Sequence, residues 1–134
     1  MASLDTNVLV RFLVRDDNAQ YESACALLRS AVDADEPLFV PVSVTLELEW
    51  VLRSRFRFDK AAFELILSRL LDAEELLFES ETAIESALSL YQQDNADFAD
   101  ALHAALAHTA GQTPLWTFDK AAAQLAGARL LSNA

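Results

Sequence analysis

The chain has 134 residues, 53% of them hydrophobic, and a formal net charge of −11. That length suits one domain with a real core, and that apolar content excludes a disordered chain. The acidic balance argues against broad binding to a phosphate backbone and is compatible with divalent cations or a basic protein partner. No apolar run approaches the roughly 18 residues of a membrane span, so no membrane association is expected. No basic stretch followed by an apolar one opens the chain, so no secretion leader is expected. The single cysteine, Cys25, cannot form an internal disulfide. It is read as core packing in a reducing, cytoplasmic setting.

Met1 to Leu4 predicts a short strand, with Asp5, Thr6 and Asn7 in the turn after it. Val8, Leu9, Phe12 and Leu13 recur at helical spacing, predicting a helix to about Val14. Tyr21, Ala24, Cys25, Leu28, Ala31 and Val32 predict a second helix over about residues 19–34. Leu38-Phe39-Val40 is a compact β-type run. From Ser43 the period is helical again, with Val44, Leu48, Val51 and Leu52 in one stripe. Glu47 falls on the same side, and a carboxylate on a buried stripe is costly unless paired or bound to a cation. The plainer reading is a rim glutamate with a packed stem and a hydrated head.

Phe58-Asp59-Lys60 opens another helix, with Ala62, Phe63, Ile66, Leu67 and Leu70 on one face. Glu75 to Glu79 predicts a third strand, and Thr82 to about Gln92 a helix. An Ala-rich helix follows over about residues 96–110, with Asn95 as cap and Gly111 as stop. Its first turn presents Asp97 and Asp100 on one face, a placement that by itself only complements the helix dipole. Leu115-Trp116-Thr117 predicts a fourth strand ending at Asp119, residues 120–126 a helix, and Arg129-Leu130-Leu131 a last edge strand.

Strands alternating with helix pairs imply an α/β fold, a parallel sheet covered on both faces, in a single domain over residues 1–134. In such sheets the working crevice lies outside the carboxyl ends of the strands. Asp5 and Asp119 fall just past strand ends, and Glu47, Asp97 and Asp100 near helix starts. One crevice collecting these carboxylates must either bind protons or hold a cation. Capping of the next helix is the plainer role for Asp5 and for Asp119. With no His or Cys among these acids, zinc is disfavoured and Mg²⁺ or Mn²⁺ suited. Such all-oxygen sites support phosphate-ester hydrolysis. No glycine-rich phosphate loop is present.

Four segments carry a resemblance: Leu4-Asp5-Thr6-Asn7-Val8-Leu9, Glu47 to Arg53, Asp97-Phe98-Ala99-Asp100-Ala101-Leu102 and Thr117-Phe118-Asp119-Lys120. In this order the chain resembles the PIN-domain nucleases, in particular VapC-type toxins of bacterial toxin–antitoxin pairs. The resemblance implies a three-layer α/β/α fold around a short-stranded, mostly parallel sheet. It implies a Mg²⁺- or Mn²⁺-dependent endoribonuclease that forms homodimers and is inhibited by a small cognate antitoxin. Asp5, Glu47 and Asp100 match the family's metal-binding acids, Asp119 a more variable fourth, and Asp97 an extra acid of one subgroup. Thr6, Asn7 and Thr117 match polar residues that support the site. Arg53, Arg55, Arg57 and Lys60, with Arg11 and Arg15, are the residues expected to guide an RNA backbone.

Three other readings compete. A phosphoacceptor receiver-like module also has an acidic pocket on a parallel sheet, but Lys120, directly after Asp119, does not obviously supply its lysine. A dehalogenase-type phosphatase wants a second acid two residues after Asp5, where Asn7 stands. A catalytically silent partner-binding module has no need of clustered like charge.

Overall fold

A computed structural model of the chain describes residues 2–94 and 96–132. Met1 and Asn95 lie outside them, and with Asn95 the proposed cap of the Ala-rich helix. The chain divides into two compact units, residues 1–79 and 80–134.

In the first unit, α1 (Thr6–Val14), α2 (Asn18–Ala34), β1 (Leu38–Val40), α3 (Val42–Ser54), α4 (Lys60–Asp72) and β2 (Leu76–Phe78) follow in order. β1 and β2 pair in parallel, Leu38 opposite Leu76 and Val40 opposite Phe78. The strand expected at the N-terminus is reduced to one parallel bridge between Ser3 and Phe39. The Leu4 amide still donates to the Phe39 carbonyl at 2.9 Å. Pairing stops there because Asp5 is already the N-cap of α1. Leu9, Val10, Val40, Leu48, Leu52, Phe63 and Leu67 form the buried interior of this unit.

α3 starts without a side-chain cap of its own, since Pro41 holds the cap position. The gap is filled from β2's end: Glu79 Oε1 accepts from the Val42 amide at 2.8 Å. Glu79's own amide donates to the Val40 carbonyl at 2.9 Å, which ties both ends of that contact to the β1–β2 ladder. α2 buries only Ala24, Leu28 and Ala31. Its apolar stripe is therefore narrower than expected: Val32 is exposed and Cys25 half-buried, not core.

In the second unit, α5 (Glu81–Gln93), α6 (Phe98–Thr109), β3 (Leu115–Thr117) and β4 (Ala128–Leu130) follow, with a 3₁₀ turn at Ala122–Gln124. β3 and β4 are parallel, Trp116 opposite Arg129. α5 and α6 pack on each other, and both bury small residues, Ala87 on α5 and Ala101, Ala104 and Ala105 on α6. Tyr91 meets Phe98 edge-to-face, ring centroids 5.5 Å apart. Gly111 takes φ +68 just past the end of α6, a conformation that favours glycine.

The helix expected over residues 120–126 is only the 3₁₀ turn. Ala122 and Leu125 are its only buried apolar anchors, and Leu125 is already extended. The last strand starts at Ala128 and ends at Leu130. Helix pairs between short parallel strands give an α/β architecture, its strands described as two parallel pairs, one in each unit. Among the described residues, no helix is long and apolar enough to cross a membrane.

Candidate metal centre

The first unit contributes Asp5 and Glu47. Asp5 ends the N-terminal segment and its Oδ1 accepts from the Thr6 amide at 2.7 Å. Thr6 is 3% exposed, yet its hydroxyl has a partner: it donates to Glu47 Oε1, a residue 41 positions later. One threonine thus holds the first acid through its backbone and the second through its side chain. Asp5 and Glu47 are themselves exposed.

The buried-stripe reading of Glu47 needs correction. α3 buries Val44, Thr45, Leu48, Val51 and Leu52. At 100° per residue, Glu47 lies about 100° from the middle of that arc, at its rim. The rim position lets the carboxylate reach water and Thr6 together. Asn7 is exposed on the first turn of α1 and, with Val8, Arg11, Gln20 and Leu27, borders a shallow groove beside α2.

The second unit contributes Asp97, Asp100 and Asp119. Asp97 occupies the N-cap position of α6, with φ −60 and ψ 154, but makes no side-chain cap hydrogen bond. Its carboxylate is exposed. Asp100 is half-buried in the first turn. Burial pushes its carboxyl above the usual range, and the carboxylates of Asp119 and Asp97 push it further, opposed by His103. Asp100 therefore feels the charge of Asp119 across 19 positions of sequence. Asp119 Oδ1 accepts from the Ala121 amide at 2.8 Å and the Ala122 amide at 3.1 Å, so it does cap the turn after it. The Thr117 hydroxyl accepts from the Asp119 amide at 3.0 Å and fixes the backbone from which that acid projects.

Among the described residues, no three His, Cys, Asp or Glu side chains form a ready-made metal group. The acids come instead as two sets, one in each unit. Their chemistry fits a hard divalent cation: every donor is a carboxylate oxygen, and Asp100 disfavours its own charge while its acidic neighbours are unneutralised.

The basic residues are mostly engaged locally. Arg11 donates to Gln20 at 2.6 Å and pairs with Asp16 at 3.2 Å. Arg15 lies over the Tyr21 ring, 4.4 Å from its centroid. Arg53 pairs with Glu49 at 3.8 Å. Arg55 and Arg57 are exposed after α3, and Lys60 is half-buried at the start of α4. Two features escaped the sequence reading. Glu79 was read only as the end of a strand, although an acid just after a strand can cap a neighbouring helix. Trp116 was read only as a strand residue, although Trp116 and Phe118 alternate with less exposed neighbours.

Known proteins bear on this arrangement. A curated relative, the VapC ribonuclease of Aquifex aeolicus (strain VF5), is 26% identical over 120 residues, covering 90% of this chain and 88% of its own length. The family model for the PIN domain matches residues 2–128, a span that contains all the acids described above. The chain belongs to the PIN-domain family.

Proposed function

We propose that this chain is a Mg²⁺- or Mn²⁺-dependent endoribonuclease and the toxin of a type II toxin–antitoxin pair. The observation that carries the reading is the Thr6 link, which couples the acid of the first family segment to the acid of the second. Membership of the PIN-domain family and similarity to a protein named VapC ribonuclease support it.

Asp5, Glu47 and Asp100 are the acids that would hold the cation, with Asp97 and Asp119 contributing directly or through water. When bound, the cation supplies charge neutralisation at the scissile phosphate and its leaving oxygen. The chain's own residues do the positioning. Thr6 keeps the Glu47 carboxylate oriented, and Thr117 fixes the backbone of Asp119. Asn7, on the same first turn, is a further polar residue that would support the site. Arg53, Arg55, Arg57 and Lys60, with Arg11 and Arg15, steer the RNA backbone. A small cognate antitoxin is the inhibitory partner, in the cytoplasm. A homodimer is supported by exposed apolar residues on α2 and α4: Leu27, Val32 and Leu65.

The test is incubation of purified protein with single-stranded RNA in Mn²⁺, in Mg²⁺ and in EDTA. Cleavage that needs the metal supports the proposal. No cleavage in either metal, or equal cleavage in EDTA, overturns it.

A further inference from the structure

β3 and β4 carry an exposed face that the acids do not use. Trp116 is 53% exposed and Phe118 67%, whereas Leu115 and Thr117 between and beside them are half-buried. Strand alternation turns the Trp116 ring outward, and Phe118, just past the end of β3, is the more exposed of the two. Arg129, opposite Trp116 in the ladder, places its guanidinium carbon 5.5 Å from the Trp116 ring centroid. A cation–π contact of this sort holds a ring and a planar cation in place at the surface.

We infer that Trp116, Phe118 and Arg129 form a stacking platform for the bases of single-stranded RNA. The inference rests on the nuclease reading for its choice of ligand. Two observations favour RNA over an apolar protein surface. The patch includes a guanidinium plane as well as rings, and bases stack on both. It is also contiguous with the candidate centre: Asp119 directly follows Phe118, and Thr117, between the two rings, holds the Asp119 amide. The net charge of −11 adds a physical reason. Local arginines can steer a backbone, but on an acidic chain stacking adds affinity that needs no excess of positive charge.

The experiment is fluorescence anisotropy of a labelled single-stranded RNA in EDTA, where binding is read without metal-dependent cleavage. Trp116→Ala and Phe118→Ala are each expected to weaken binding roughly five- to a hundredfold. Trp116→Phe, which keeps a ring, should recover most of the loss. On the unaltered protein, an abasic strand of equal length and charge should bind correspondingly worse. Equal binding of abasic and normal strands overturns the platform, as does undetectable binding of both. Alanine variants that retain parental RNA affinity but change oligomeric state in sedimentation also overturn it, and make the face a protein contact. Loss of stacking with Mn²⁺-dependent cleavage intact removes this inference alone. Stacking without any cleavage removes the nuclease reading and leaves the platform.

Discussion

The Thr6 hydroxyl donates to the Glu47 carboxylate across 41 positions of sequence. Glu47 is otherwise a rim residue on an exposed edge of α3, free to sample several rotamers. The buried threonine removes that freedom. Thr6→Val keeps the shape and deletes the donor, and Thr6→Ser keeps the donor. Thr6→Val should lower RNA cleavage or Mn²⁺ affinity roughly 10- to 100-fold, with Thr6→Ser close to the parent. Cleavage rates and Mn²⁺ titration calorimetry check this.

Asp100 carries a pH prediction. Burial and the charges of Asp119 and Asp97 raise its folded carboxyl above its unfolded value. The stability attached to it is therefore fully present below the unfolded value, about pH 4, and lost as pH rises through the folded one. At neutral pH without metal, its charge works against folding. Asp100→Asn should raise the melting temperature in EDTA at pH 7, and the difference should shrink below about pH 4. Added Mn²⁺ should stabilise the parent and leave Asp100→Asn nearly unchanged. Thermal melts across pH and Mn²⁺ concentration read both effects.

Glu79 caps α3 from the end of β2. Glu79→Ala leaves the Val42 amide without that acceptor and should cost about 1 kcal/mol in urea unfolding. Glu79→Gln keeps an acceptor oxygen and should lose less.

Thr45 is fully buried, and its hydroxyl has no hydrogen-bond partner among the described residues. Burying a hydroxyl unpaired is unfavourable, so Thr45→Val should stabilise by roughly 1 kcal/mol. Urea unfolding gives the sign directly.

The order of helices and strands was legible because each stripe repeats locally: Leu38-Phe39-Val40 reads as a strand, and Val44, Leu48, Val51 and Leu52 as a helix face. Three things were not. The Ala122–Gln124 turn falls short of a helix because too few of its side chains are buried, and burial is a tertiary fact. Glu47 looked buried because a stripe does not show where its rim ends. Glu79's role depends on β1–β2 pairing, which brings residues 37 positions apart together. Among the candidate acids, the types and the motifs that carry them were visible in the sequence. The Thr6 bond and the repulsion that Asp119 and Asp97 exert on Asp100 became visible only in the fold.

The most direct measurement of the central claim is RNA cleavage in Mn²⁺ by the parent, Asp5→Asn and Asp100→Asn, each checked for folding by circular dichroism. The account predicts metal-dependent cleavage by the parent and a loss of a hundredfold or more, on the order of 3 kcal/mol in barrier, in both folded variants. Either variant, folded and cleaving as fast as the parent, would contradict it.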